Sequence, residues 1–283
     1  MLRNFSIKQR LFINAIAVGV AMLMMLLLLM YQSSQQSTLS QLRLEIAKLQ
    51  TDVLTLRRHE KDFLMRRELS YQDKYHQTFK SLQTHVKELK NGLAQADIST
   101  DALDDFNRQT EIYQQQFDQA VRLWQQVGLD PQSGLYGALR KAAHGLEQQF
   151  KQVQNDASLV SLLQLRRAEK DFMLRLDLKY LDAFQAEFSK FQSMLDQGDL
   201  QQAASDYQQA FVALVQGQQA IGLDQEQGVM KQMRAAIHET EESLQRMSKD
   251  AEAAVDDAVQ MTQSLAFTLF VLVLVSVLIL VML

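Results

Sequence analysis

Two stretches without a charged side chain, 11–31 and 265–283, bracket the sequence and constrain it more than anything between them. An apolar helix of about 20 residues, rising ~1.5 Å per residue, matches a hydrocarbon core of ~30 Å. In lipid every backbone amide must be bonded internally, so a single such stretch can only be a helix. In the first, Leu11 to Tyr31, Asn14 is the most polar side chain. Arg3, Lys8 and Arg10 precede it with no acid among them. The positive-inside rule therefore expects 1–10 as a short cytoplasmic tail. A cleaved signal peptide would have an apolar core of about 7–15 residues followed by an A-x-A site; this core is longer and no such site follows it. Two spans, 11–31 and 265–283, then expose 32–264 on the outer face of the inner membrane, in a periplasm.

Between the spans, turn chemistry is scarce. The whole sequence holds ten glycines and one proline, Pro131. A sheet protein of this size would need more, and apolar residues recur at spacings of three and four. Leu42, Ile46, Leu49, Val53, Leu56 and Phe63 form one stripe, and Met233, Ile237, Leu244 and Met247 another. The fold class is all-α. The breaks predict helices near 32–92, 100–127, 131–155, 157–196, 199–220 and 225–264. Ser99 or Thr100 is placed to cap the second, and Pro131 in the first turn of the third. A net charge of −4 offers no basic field for nucleic acid. Without cysteine there are no disulfides, thiolate metal sites or cysteine nucleophiles.

The region is internally duplicated. RRHEKDFLMR at 57–66 recurs as RRAEKDFMLR at 166–175, an offset of 109. GLDPQSGLYGALRKAAHGLE at 128–147 recurs as GLDQEQGVMKQMRAAIHETE at 222–241, an offset of 94. The second pair shares Arg140/Arg234 and His144/His238. Two related modules are implied. Taking the first and fourth helices as unbroken, helix lengths predict two four-helix bundles stacked end to end and sharing two long helices. That ruler sets 57–66 opposite Arg234 and His238 in a membrane-proximal bundle. It sets 166–175 opposite Arg140 and His144 in a distal one.

The duplicated R-R-x-E-K-D-F-x-x-R helix between two spans resembles the helical bimodular sensor domain of bacterial methyl-accepting chemotaxis receptors and some sensor histidine kinases. The opening MLRNFSIKQRLF is also similar to the start of many chemoreceptors. The resemblance covers essentially the whole chain. It implies a periplasmic sensor region, 32–264, that binds small organic acids such as malate, succinate or acetate. It also implies signalling across the inner membrane to cytoplasmic partners in chemotaxis. The family's HAMP linker and signalling coiled coil do not lie within the 283 residues, so output would require a further cytoplasmic part. The alternatives are the input domain of a histidine kinase, or a docking module for a periplasmic binding protein at 91–101. A two-span receptor of this kind is expected to work as a homodimer.

Glu60 and Glu169 fall on apolar stripes, where a carboxylate needs a partner. Arg57 and Arg166, three residues earlier, supply one, and an internal Arg–Glu clasp fixing bundle register is one reading. The other gives the arginines to a ligand carboxylate, which suits their planar fork. The proximal candidates are Arg57, Glu60, Arg234 and His238, and the distal ones Arg140, His144, Arg166 and Glu169. Arg58, Asp62 and Arg66, like Arg167, Asp171 and Arg175, are spaced as solvated ion-pair ladders. Trp124 and the phenylalanines read as core. The five histidines have no metal-ligand spacing, and no catalytic or phosphate-binding motif is present. No metal, cofactor or enzyme activity is expected.

Overall fold

A computed structural model describes residues 7–150, 156–195 and 198–282 of the chain. Among them are eight helices and no strand. They are α1 (Ile7–Arg66), α2 (Ser70–Gln95), α3 (Asp101–Val127), α4 (Gly134–Phe150), α5 (Asp156–Arg175), α6 (Lys179–Ser193), α7 (Gly198–Ile221) and α8 (Gly228–Met282). Two of these, α1 and α8, are long and apolar enough to cross a membrane. The α1 span, Leu11–Ser34, is not buried by the rest of the chain at all. Of the expected tail 1–10, residues 1–6, including Arg3, lie outside the described residues, as does the expected break at Asn155.

The expected helices 32–92 and 157–196 are each two helices. α1 stops at Arg66 and α5 at Arg175, the last residues of the duplicated motif. The next residue in each copy is left-handed: Arg67 has φ 58° and Leu176 φ 51°. Each closes its helix with a backbone bond, Arg67 N–H to Phe63 O at 2.8 Å and Leu176 N–H to Phe172 O at 2.7 Å. Glycine or asparagine usually fills this capping position, so no composition signal marks the turn. The two long shared helices therefore do not exist, and heights counted along them do not hold. Pro131 likewise lies in the turn before α4, not in its first turn.

The chain divides into two compact units. The first comprises Met1–Val53, Ser81–Phe106 and Glu241–Leu283. In it α2 returns antiparallel to α1: His85 Nδ1 lies 2.6 Å from Asp52 Oδ2, and Gly92 packs against Leu42. The turn after α2, within the 91–101 segment considered for docking, is thus near Leu42, close in sequence to the first apolar stretch. Ser99 Oγ accepts the Asp101 N–H at 3.1 Å, starting α3 as expected.

The second unit comprises Leu54–Lys80 and Asn107–Thr240 and contains both copies of the repeat. α5 and α6 form a hairpin, tied by Ser161 Oγ donating to Glu187 at 2.6 Å, and α4 packs on α7. The copies share a core. Phe63 meets Phe117 edge-on at 5.7 Å and 86°, and their counterparts Phe172 and Phe211 meet at 5.7 Å and 87°. Tyr75 packs on Tyr113 at 5.7 Å as Phe184 does on Tyr207 at 5.4 Å. Fully buried rings of this kind each stabilise the fold by roughly 1.5–3 kcal/mol. The two GLD loops also match. Gly128 and Gly222 have φ 122° and 120°, and Gly134 and Gly228 both 57°. Asp130 and Asp224 each accept a backbone N–H two residues on, at 2.7 and 2.8 Å.

Candidate functional site

The last turns of α1 and the first turns of α8 enclose a cavity of about 460 Å³ in the second unit. Arg57, Glu60 and Lys61 enter it from α1, and Arg234 from α8. Leu64, Met233 and Ile237 supply apolar wall. Arg57, Glu60 and Arg234 are therefore brought together. His238 lies exposed one turn further along α8 and is not part of the lining. Arg58 is exposed and is not part of the lining.

Glu60 is held by a residue outside the motif. The Tyr113 hydroxyl of α3 donates to Glu60 Oε2. Burial pushes the Glu60 carboxyl above the ordinary range, against the opposing effects of that bond and of Arg57 and Lys61. Burial, with Glu60 nearby, pushes the Tyr113 phenol well up. Arg234 pairs with Glu226 at the cavity's exposed edge, with both side chains more than half exposed. Such a pair contributes little and exchanges readily. Three cations thus line the cavity, and the one acid among the lining residues is biased toward its neutral form.

The second copy is arranged differently. A cavity of about 170 Å³ is lined by Arg140 and His144 of α4 and Arg166, Glu169 and Lys170 of α5. All four expected distal residues are present, but Glu169 is 1% exposed and already saturated. It binds Arg166 directly, Lys170 Nζ at 2.8 Å and the Tyr207 hydroxyl at 2.7 Å. Arg166 Nε also holds Glu147 at 3.0 Å, and His144 Nδ1 lies 3.2 Å from Glu147. Burial opposes the Arg166 charge, yet Glu169, Tyr207 and Glu147 together keep its pKa raised. The Arg–Glu clasp foreseen for both copies is fully built here.

Tyr113 and Tyr207, the partners of Glu60 and Glu169, are what motif reading missed. The second repeat extends upstream of the GLD loop: YQQQF at 113–117 matches YQQAF at 207–211 at the same offset of 94. Extending that alignment would have found both tyrosines. The ion-pair ladders are present in part: Arg66 lies 3.9 Å from Asp62, and Arg167 and Arg175 lie 3.9 and 3.5 Å from Asp171. No group of three or more metal-ligating side chains occurs among the described residues. No family model, curated protein or solved structure matches the chain.

Proposed function

We propose that the chain is the sensing region of a two-span bacterial receptor, of the chemoreceptor type. Its larger cavity binds a small organic acid on the outer face of the inner membrane. The observation that carries this reading is the charge of the 460 Å³ cavity: Arg57, Lys61 and Arg234 line it against one lining acid, Glu60, whose pKa burial raises, while Glu226 pairs with Arg234 only at its exposed edge. Ligand pockets typically run from ~300 to ~1,000 Å³, so this cavity has room for a dicarboxylate and the 170 Å³ one falls short. Arg57 and Arg234 are the main carboxylate donors, on facing helices, and Tyr113 fixes Glu60 so that it does not compete. The smaller site is a structural clasp first and a ligand site second.

Output follows from α8. It carries Arg234 and the second apolar span in one unbroken helix. A ligand that prefers one position of α8 relative to α1 biases the span by its differential affinity for the two positions. Homodimerisation would make that movement readable by cytoplasmic partners. The test is a thermal-shift series on the chain in lipid nanodiscs with succinate, malate and the neutral diamide of succinate. A carboxylate ligand at 100-fold its Kd stabilises by about 2.7 kcal/mol, and the diamide does nothing. Equal shifts with acid and diamide, or none with any organic acid, would remove the reading.

A further inference from the structure

The turn between α1 and α2 carries polar groups that the core does not satisfy. The Arg67 guanidinium carbon sits 3.3 Å from the centre of the Trp124 ring. Arg67 Nη1 and Trp124 Nε1 are both buried without a hydrogen-bond partner. Tyr136 is close enough to act electrostatically on Arg67, and its hydroxyl accepts from Gln218 Nε2 at 2.8 Å. Gln218 is 1% exposed, and its other amide atom is unpaired as well. Burial pushes the guanidinium down to about 10, and the group that acts to raise it is the Tyr136 phenol, not a carboxylate. Unsatisfied buried donors are rare enough in native proteins that each calls for a partner.

The duplication supplies an internal control. Arg67 corresponds to Leu176, whose backbone is equally left-handed and whose side chain packs on the core. Trp124 corresponds to Gln218 at the other offset. A leucine therefore makes this turn without a charge, and the turn itself does not require the arginine. A half-buried cation whose Nη1 is buried without a partner carries a desolvation penalty that the leucine copy avoids.

We propose that Arg67, Trp124 and the Tyr136–Gln218 pair form a binding site for a small singly charged anion. The anion, a halide or a monocarboxylate, accepts from Arg67 Nη1 and Trp124 Nε1 and neutralises the guanidinium. One cation and one neutral N–H donor match one negative charge; a dianion would leave a net charge buried. The site shares no residue with the larger cavity, so it stands or falls independently of the organic-acid reading.

Trp124 is the only tryptophan in the chain, so its fluorescence reports the site directly. The full chain in detergent is titrated with sodium chloride and with sodium acetate, ionic strength being held constant with sodium sulfate. The expected result is a saturable change in Trp124 emission with at least one of the two, whichever saturates identifying halide or carboxylate. In Arg67→Leu the saturation is lost or shifted at least ten-fold, and Arg234→Ala leaves it unchanged. Thermal unfolding by circular dichroism gives a second readout: the anion raises the melting temperature of the parent and not of Arg67→Leu. A linear response to both anions, or the same saturation midpoint in Arg67→Leu as in the parent, would overturn the site and leave Arg67 a structural cap.

Discussion

Replacing Glu169 by alanine should be among the most damaging single changes in the chain. The carboxylate is 1% exposed and accepts from Arg166, Lys170 and Tyr207. Its removal leaves Arg166, whose side chain is 17% exposed, short of a counter-ion and strips the buried Tyr207 hydroxyl of its acceptor. Breaking a buried pair from one side costs about 3–5 kcal/mol. Arg166 keeps Glu147 at 3.0 Å, and Lys170 is largely solvated, so the lower half of that range applies. Adding the stranded hydroxyl, about 1 kcal/mol or more, gives a total near 4–5 kcal/mol. At about 2–4 °C per kcal/mol for a domain of this size, the melting temperature should fall by roughly 8–20 °C. Urea and thermal unfolding of the detergent-solubilised chain, followed by circular dichroism, would measure it. Glu169→Gln, which keeps an acceptor for Tyr207, should recover part of the loss. A fall of under 1 kcal/mol for Glu169→Ala would mean that the clasp is not formed in solution.

Glu60 should make stability depend on pH. Its folded pKa is raised, so its contribution to stability is fully present below the ordinary carboxylate range and is lost as pH rises through the folded value. Glu60→Gln should therefore flatten the stability profile of the parent between pH 4.5 and neutrality, which a pH series of melts would show. Gly134→Ala and Gly228→Ala should each destabilise by about 1–3 kcal/mol. Both glycines have φ 57°, and a Cβ there would meet a carbonyl oxygen at 2.4 and 2.6 Å. Arg58→Ala, at an exposed position, should move stability by no more than about 0.5 kcal/mol. Because the chain has no cysteine, a single one introduced at the exposed Gln95 should react with a membrane-impermeant maleimide added outside spheroplasts. Labelling only after permeabilisation would reverse the topology.

The helices were legible because burial writes itself at spacings of three and four: Leu42, Leu49, Leu56 and Phe63 are all essentially inaccessible. The two apolar stretches were legible as helices long enough to cross a membrane because each runs for about 20 residues without a charge. The hairpin turns at 67–69 and 176–178 were not. Their left-handed residues are arginine and leucine, and neither announces a turn. The grouping of Arg57 and Glu60 with Arg234 was expected from heights along helices that turned out to be broken. It holds in the structure for another reason: the two copies fold alike, and each places its motif helix against the helix following a GLD loop. The unequal chemistry of the copies was illegible in the motif, because it depends on how completely tertiary partners occupy Glu60 and Glu169.

The central claim is that Arg57 and Arg234 hold a ligand carboxylate, and calorimetry decides it most directly. Malate and succinate would be titrated into the parent chain and into Arg57→Ala, Arg234→Ala, Arg140→Ala and Arg166→Ala. Truncating one partner of a desolvated charge pair costs about 2–5 kcal/mol, so the first two changes should weaken binding by that amount while leaving helicity intact. The changes at Arg140 and Arg166 should spare the same ligand. Unaltered affinity in both Arg57→Ala and Arg234→Ala for every acid the parent binds would contradict the account and make the two arginines structural.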